Sequence, residues 1–198
     1  MKNQLFFSTI NGVLLIKIKE ALILRISKLY LRIMIEVKQI HSEEIFIVND
    51  LAHRIWPETF KGILSKEQIT YMLDWMYDVN TLQDQVKTGI LYYLLIENGQ
   101  AIGFMGLEPN YPDSDYLRIH KIYLLPEKQG KGYGRELFNQ AMNVAFDLDC
   151  HTLHLNVNRF NNAVEFYKAV GFKIIKEEDI NIGKGFLMED YVMELKIK

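Results

Sequence analysis

The sequence predicts a single α/β domain in which about seven strands form a mixed sheet flanked by helices. Two observations lead to this class: segments with helical spacing of apolar residues alternate with short β-rich runs, and a glycine-rich loop joins a strand to a helix. The 198 residues suffice for one well-buried domain and are too few for two comfortable ones. No repeat, low-complexity tract or linker interrupts the chain after residue 33, so we expect one domain over 34–198.

The predicted domain begins with a strand and a helix. Residues 35–40 alternate apolar and polar side chains as a first strand would. Helical signals follow over 43–55, with Ser42 as the expected N-cap. Pro57 lacks a backbone N–H, so we expect it to break this helix.

Two further helices and a hairpin complete the first half. A helix is expected over 66–77, capped by Ser65, and a short one over 81–87 that ends before Gly89. The dipeptide Asn98-Gly99 lies between two β-rich runs and predicts a tight hairpin turn.

The second half alternates strands and helices before it closes with two strands. Gly171 follows the last helical pattern, where a left-handed residue commonly ends a helix. We expect a strand at 116–125, a helix at 135–148, a strand at 152–157, a helix at 161–170 and strands at 173–182 and 186–197.

Residues 1–33 are expected to be an N-terminal extension of uncertain structure, compatible with a misassigned start. Charges interrupt this apolar segment, and its longest uncharged run, 3–16, is shorter than the ~20 residues that span a bilayer. No small-residue cleavage site follows the apolar stretch, which disfavours a signal peptide. A basic amphipathic surface helix in its later part is an alternative. We expect no membrane span.

The charges are distributed unevenly along the chain. Six of the 23 basic residues and one of the 25 acidic residues lie in 1–33, which leaves 17 basic and 24 acidic residues beyond it. An acidic body argues against nonspecific nucleic-acid binding and favours a cationic small substrate, although a merely solubilising surface would look the same.

Cysteine and histidine usage argues against disulfides and metals. Cys150 is the only cysteine, so no intramolecular disulfide or cysteine metal site can form, and a cytoplasmic location is expected. His151 and His154 are three residues apart at a strand start and face opposite sides of it. We expect no metal site.

The segment "IHKIYLLPEKQGKGYGRELFNQAM", residues 119–142, predicts a phosphate site. Three alternate glycines leave backbone N–H groups open at the start of a helix, where the helix dipole favours anions. Lys128, Lys131 and Arg135 add positive charge. The spacing fits neither a Walker A loop nor a dinucleotide fingerprint, and a turn without ligand is the plain alternative.

Two motifs at the proper distance carry a family resemblance. "IYLLPEKQGKGYGREL" resembles the Gln/Arg-x-x-Gly-x-Gly/Ala acetyl-CoA motif of the GNAT superfamily of N-acetyltransferases, and "VNRFNNAVEFYKAVGF", residues 157–172, resembles its second cofactor motif. The element order over 34–197 agrees as well. The resemblance implies the GNAT fold, whose central sheet is mostly antiparallel, and acetyl-CoA as cosubstrate. A looser similarity links the chain to bacterial spermidine/spermine acetyltransferases, which tend to have Glu where this chain has His120.

The resemblance implies roles for particular residues. Tyr167 would protonate the leaving thiolate, with a core tyrosine as the alternative. Asn161 would bind the pantetheine arm, with Asn158 and Asn162 as competitors. A backbone N–H of the strand before the loop would stabilise the oxyanion. The expected cofactor-binding residues are Ile122, Tyr123, Leu124, Gln129, Gly130, Lys131, Gly132, Tyr133, Gly134, Arg135, Asn161, Phe166 and Tyr167.

The general base and the acceptor site are less sharply indicated. His120 has a suitable ordinary pKa near 6.5, and Glu58, Glu108 or a water chain are alternatives. Acidic and aromatic residues of the region 55–80 suit a polyamine through charge pairing and cation–π contact. The candidates there are Trp56, Glu58, Asp74, Tyr77 and Asp78.

The sequence thus predicts an acetyl-CoA-dependent N-acetyltransferase that acts on a small-molecule amine such as a polyamine. Acetylation of a protein N-terminus, a lysine or an aminoglycoside-like amine is an alternative. A regulatory domain that binds acyl-CoA without turnover is another. The expected partner is the amine substrate, without nucleic acid or membrane, and a homodimer is compatible with the sequence.

Overall fold

The computed structural model describes residues 19–22, 35–113 and 115–197. Residues 19–22 are helical and exposed. The prediction for the rest of 1–33 lies outside the described residues.

Seven strands and five α-helices follow one another over 35–197 apart from residue 114, which confirms the α/β prediction. The strands are β1 Ile35–Ile40, β2 Leu91–Glu97, β3 Gln100–Pro109, β4 Tyr116–Leu124, β5 Thr152–Asn158, β6 Lys173–Gly183 and β7 Phe186–Lys196. The helices are α1 Phe46–Thr59, α2 Lys66–Met76, α3 Val79–Lys87, α4 Tyr133–Asp147 and α5 Ala163–Ala169.

The strands form one sheet in the order β1-β2-β3-β4-β5-β7-β6. Neighbours are antiparallel except β4 and β5, which are parallel because α4 crosses between them. Their pairing ends at Ile119 and Leu155, although β4 continues to Leu124 and β5 to Asn158. The two strands therefore diverge and open a gap in the centre of the sheet.

A β-bulge marks the point of divergence. Gly106 of β3 pairs with Lys121, whereas the next residue, Leu107, pairs with Ile119. His120 is therefore an extra residue on β4. Such bulges redirect side chains and are frequent beside functional sites.

Helices cover both faces of the sheet. On one face, the Tyr123 ring of β4 lies 5.8 Å from Trp56 of α1 and 5.6 Å from Phe104 of β3. The next residue of β4, Leu124, points to the other face, where Gly134 in the first turn of α4 and Phe166 of α5 pack. The gap between β4 and β5 thus connects the two helical layers.

The prediction that Pro57 breaks the first helix is wrong. Helix α1 continues through Pro57 to Thr59, and the Phe60 N–H closes its last turn on the Trp56 carbonyl. Pro57 removes only the hydrogen bond to the carbonyl of His53, one turn before the end. Burial of Trp56 and Phe60 holds this turn in place.

One of the two predicted helix N-caps is confirmed and the other is wrong. Ser65 caps α2 as predicted, since its hydroxyl accepts a hydrogen bond from the Gln68 N–H at 3.1 Å. Ser42 instead opens a short 3₁₀ turn, 42–44, and makes no cap for α1. Asp78 caps α3, which starts two residues earlier than expected.

The two turn predictions are confirmed. Asn98 and Gly99 have φ values of 53° and 78° and join β2 to β3, as a type I′ hairpin requires. Gly171 has a φ of 107° and follows Val170, the C-cap residue of α5.

Candidate active site

A cavity of about 140 Å³ lies at the gap between β4 and β5. Helices α1 and α2 with their flanking turns supply an apolar wall, and the strands supply most of the polar groups. The helical wall consists of Trp56, Phe60, Leu64, Met72, Met76 and Tyr77. The other lining residues are 118–123, 156–158, Asn161, Ala163, Tyr167, Met188 and Asp190.

Tyr167 reaches this cavity from α5. Its side chain is 6% exposed and packs edge-on against Phe166 and Phe172, at centroid distances of 5.4 and 5.5 Å. Burial raises the pKa of Tyr167 above its ordinary range. The hydroxyl is therefore protonated at neutral pH and able to donate a proton inside the cavity.

The glycine loop has the shape that a phosphate needs. Gly130 and Gly132 adopt φ values of 72° and 87°, and nothing lies within 4 Å of the position that a Cβ would take on either. Gly132 occupies the N-cap of α4 and supplies no capping side chain. Gly134 follows in the first turn, against Phe166. The loop therefore offers backbone N–H groups at an uncapped helix start, which fits the diphosphate of coenzyme A.

The cations around the loop have different partners. Lys128 and Tyr133 both donate hydrogen bonds to Glu97 at the end of β2, and these bonds lower the pKa of Glu97. Lys131 and Arg135 are exposed beside the loop. Glu97 could not be identified from the sequence, because its contact with the loop depends on the pairing of β2 with β3.

Gln129 and the strand before the loop form the other side of the cradle. The Gln129 side-chain amide donates to the Leu124 carbonyl at 3.3 Å. Ile122 and Tyr123 line the cavity, and all three residues from Ile122 to Leu124 pair with β3 but extend beyond the pairing with β5. Their edge toward β5 can accept an extended ligand as an added strand.

The asparagines before α5 occupy different places. Asn158 and Asn161 line the cavity, whereas Asn162 is exposed. The Asn161 side-chain oxygen accepts a hydrogen bond from the Ala163 N–H at 2.8 Å. Its amide NH₂ remains available for a ligand in the cavity.

His120 and Glu108 form a close pair, with 2.5 Å between His Nε2 and a Glu carboxylate oxygen. The pKa of His120 is lowered to about 4, mainly because the side chain is buried. The contact with Glu108 raises this pKa, whereas the charges of Lys121 and Arg118 lower it further. The imidazole is therefore neutral at physiological pH, and its remaining ring nitrogen can act as an acceptor.

The helical wall brings two polar side-chain groups, those of Trp56 and Tyr77, close to each other and to the Tyr123 hydroxyl. Trp56 Nε1 and the Tyr77 hydroxyl are buried, and neither makes a hydrogen bond of normal geometry to a described residue. Their rings lie 5.3 Å apart beside Tyr123. A polar ligand in the cavity would satisfy these groups.

The acidic candidates from the helical region lie outside the cavity. Glu58 is exposed on α1 and forms a 3.8 Å ion pair with Lys61. Asp74 and Asp78 are also exposed, and Asp78 caps α3.

Asp190 of β7 is a cavity residue that the sequence reasoning missed. It is 2% exposed, and burial raises its pKa to about 6. A signal was present: Met188, Asp190 and Val192 alternate along one face of a strand, and the polar member interrupts an inward-facing set.

Lys121 is a second buried ionisable residue, 4% exposed, and burial lowers its pKa to about 8. Its ammonium donates to Gln85 at 3.1 Å and lies between the rings of Tyr77 and Tyr92. These contacts anchor α3 to the sheet.

The described residues form neither a metal-binding cluster nor a membrane-spanning helix. Across 19–22, 35–113 and 115–197, no group of three or more His, Cys, Asp or Glu residues is placed to hold a metal ion. No helix in the described part of the chain has the length and apolar content needed to cross a bilayer.

Comparison with known families gives a match over residues 48–172 to the family described as acetyltransferase (GNAT). Among curated relatives, a spermidine N(1)-acetyltransferase of Thermoplasma acidophilum is 27% identical over 161 residues, which covers 78% of this chain and 96% of the relative. A peptidyl-lysine N-acetyltransferase of Escherichia coli is 32% identical over 111 residues, which covers 53% of this chain and 67% of the relative.

Solved structures show the same architecture. The crystal structure of PaiA N-acetyltransferase from Thermoplasma acidophilum in complex with coenzyme A matches with a TM-score of 0.69 and 25% identity, over 82% of this chain and 98% of that one. The ribosomal-protein-S18-alanine N-acetyltransferase of Escherichia coli matches with a TM-score of 0.63 at 18% identity, over 83% and 94%.

Proposed function

The chain belongs to the acetyltransferase (GNAT) family and is an acetyl-CoA-dependent N-acetyltransferase, and on that premise we propose that it acetylates a primary amine of a small molecule. A polyamine is the first candidate acceptor. One observation carries the proposal: the cavity at the gap in the sheet is lined by Tyr167 and by Ile122 and Tyr123 of the strand that leads to the glycine loop.

The loop and the strand position the donor. Backbone N–H groups around Gly130 to Gly134 bind the diphosphate, and the free edge of Ile122–Leu124 pairs with the pantetheine arm. A backbone N–H of the same strand stabilises the oxyanion. The thioester then lies at the cavity, beside the Tyr167 hydroxyl.

The chemistry is a direct transfer. The neutral amine attacks the acetyl carbonyl carbon, a C–N bond forms and the C–S bond breaks. The departing sulfur takes the proton of the Tyr167 hydroxyl, and the phenolate recovers the surplus proton of the amide nitrogen. The high pKa of Tyr167 keeps this proton available until the thiolate develops.

The walls of the cavity favour a slender acceptor. Trp56, Phe60 and Tyr77 surround it with aromatic rings, and Met72 and Met76 add apolar surface. An alkylammonium end gains cation–π and apolar contact there. The name of the Thermoplasma relative points to spermidine, whereas that of the Escherichia coli relative keeps a lysine side chain as a second acceptor.

A panel of amines tests the proposal, with release of free coenzyme A as the readout. We expect turnover with spermidine or another small primary amine and little with a lysine peptide. A preference for the peptide would show that the acceptor is a lysine side chain and not a small amine. Tight acetyl-CoA binding without turnover on any amine would favour a non-catalytic binding domain.

Tyr167→Phe tests the general acid. We expect kcat to fall roughly 100-fold or more, with acetyl-CoA affinity unchanged by calorimetry, because the variant removes only the hydroxyl. Tyr191→Phe, on β7 and outside the cavity lining, is the matched control and should retain full turnover. A Tyr167→Phe enzyme with the normal rate would reject Tyr167 as the acid.

A further inference from the structure

We propose that the carboxylate of Asp190 binds the ammonium group of the acceptor and accepts its first proton. The inference rests on the proposed acetyl transfer and adds to it the residue that selects and activates the amine. It replaces His120 as the general base expected from the sequence.

The charges of the side chains that line the cavity indicate Asp190. The wall from α1 and α2 and their flanking turns contributes only apolar and aromatic side chains, so a counter-charge for an ammonium group has to come from the sheet. Among the described residues that line the cavity, the sheet contributes the cations Arg118 and Lys121, the neutral His120 and one carboxylate, Asp190. An ammonium group that enters this cavity therefore has one anionic partner.

The nearby cations are committed to other groups. Arg118 donates to the Asn156 side-chain oxygen at 3.2 Å and lies over the Tyr111 ring at 4.4 Å. Arg159 directs its guanidinium to Glu177 and Asp179, with Glu189 at 3.5 Å as a third partner. Both arginines lower the pKa of Asp190 through their charge, and their terminal nitrogens make the contacts above, whereas the Nε of each is buried with no hydrogen-bond partner among the described residues.

The remaining neighbours set the basicity of Asp190. Burial raises its pKa to about 6, Asn156 of β5 lowers it through a hydrogen bond, and Glu178 of β6 raises it again. The facing residue of β5, Asn158, carries no charge, and Tyr123 of β4 titrates far above this range. A carboxylate poised near neutrality is ionised at physiological pH and more basic than an exposed one.

With Asp190 as the base, each proton that leaves the acceptor nitrogen has a destination. The acceptor ammonium transfers one proton to the Asp190 carboxylate and becomes a neutral amine. The amine then attacks the thioester, and its second proton reaches the departing sulfur through Tyr167. Asp190 returns its proton to solvent after product release, so one proton is released per turnover.

The substrate class follows from these contacts. The acceptor presents a primary ammonium group to Asp190 and carries apolar methylene groups next to it along the aromatic wall. A terminal aminoalkyl group has this form, as in a polyamine or a simple alkylamine. An amine that carries a carboxylate directly beside its nitrogen would place like charges together at Asp190.

Kinetics of Asp190→Asn test the inference. We expect kcat/KM for the amine to fall roughly 100-fold or more. The pH profile of the wild-type kcat/KM should have an acidic limb, a rise through a pH near 6 as Asp190 ionises. The variant should lack this limb. Acetyl-CoA affinity should not change. Glu189→Gln, the exposed neighbour on β7, is the matched control and should keep both the rate and the limb.

Further variants separate the outcomes. Asp190→Glu keeps a carboxylate and should recover part of the rate together with the acidic limb. If Asp190→Asn retains the normal rate and the limb while His120→Gln loses both, then His120 is the base and the inference falls, although acetyl transfer stands. If the wild type binds acetyl-CoA but none of the amines tested supports its turnover, then both the inference and the proposed function fall.

Discussion

Replacing Asp190 by Asn should stabilise the protein near neutral pH even as it lowers turnover. Asp190 has a pKa of about 6 in the folded chain against an ordinary value of 3.8. A carboxyl whose pKa is raised by folding contributes stability below 3.8 and loses it as pH rises through about 6. At pH values above 6, the charged carboxylate therefore opposes folding.

The magnitude follows from the same two values. A rise from 3.8 to about 6 corresponds to about 3 kcal/mol of unfolding free energy once the group is fully ionised. This is an upper bound, because relaxation around a charged group reduces the cost. We expect Asp190→Asn to gain about 1 to 3 kcal/mol at about pH 7.5 and nearly nothing at about pH 3.

Urea denaturation of both proteins at the two pH values measures this difference. The Glu189→Gln variant should show no comparable dependence, because Glu189 is 44% exposed. A variant less stable than the wild type at about pH 7.5 would refute the reasoning. An equal difference at both pH values would do the same, since it would assign the effect to packing. Loss of activity combined with a gain in stability is typical of groups retained for function.

Two further predictions concern glycines. Gly132→Val should weaken acetyl-CoA binding at least tenfold by calorimetry, because the φ of 87° disfavours a side chain and a branched Cβ would block the phosphate; normal affinity would show that the loop does not touch the diphosphate. Gly103→Ala should lower the unfolding free energy by about 1 to 3 kcal/mol, because its Cβ would lie 2.6 Å from the Tyr123 carbonyl oxygen. Gly134→Ala, whose Cβ would meet its nearest atom at an ordinary 3.7 Å, is the control for contact, and an equal loss of stability there would contradict the reasoning.

The architecture was predictable because its signals are local. The Asn98-Gly99 turn, the Ser65 cap and the glycine after α5 act within a few residues of sequence, and each appears where expected. The prediction from Pro57 was wrong because the rule that proline ends a helix does not take tertiary packing into account. The buried rings of Trp56 and Phe60 maintain the last turn of α1 at the loss of one hydrogen bond.

The site was predictable only in part. The glycine loop and the α5 motif are contiguous in sequence, so their residues could be named in advance. Glu97 and Asp190 reach the site through strand pairing, which brings residues far apart in sequence together. Glu58 was chosen for its chemistry, but its helical position turns it toward solvent.

The opening between β4 and β5 has a consequence for acyl-chain length. Under the proposed mechanism, donor and acceptor share one cavity of about 140 Å³, so the sizes of the transferred group and of the amine are not independent. Each carbon added to the thioester would then occupy space that the amine needs, so bulky donors would be disfavoured by crowding. Short amines would therefore tolerate propionyl transfer better than long ones.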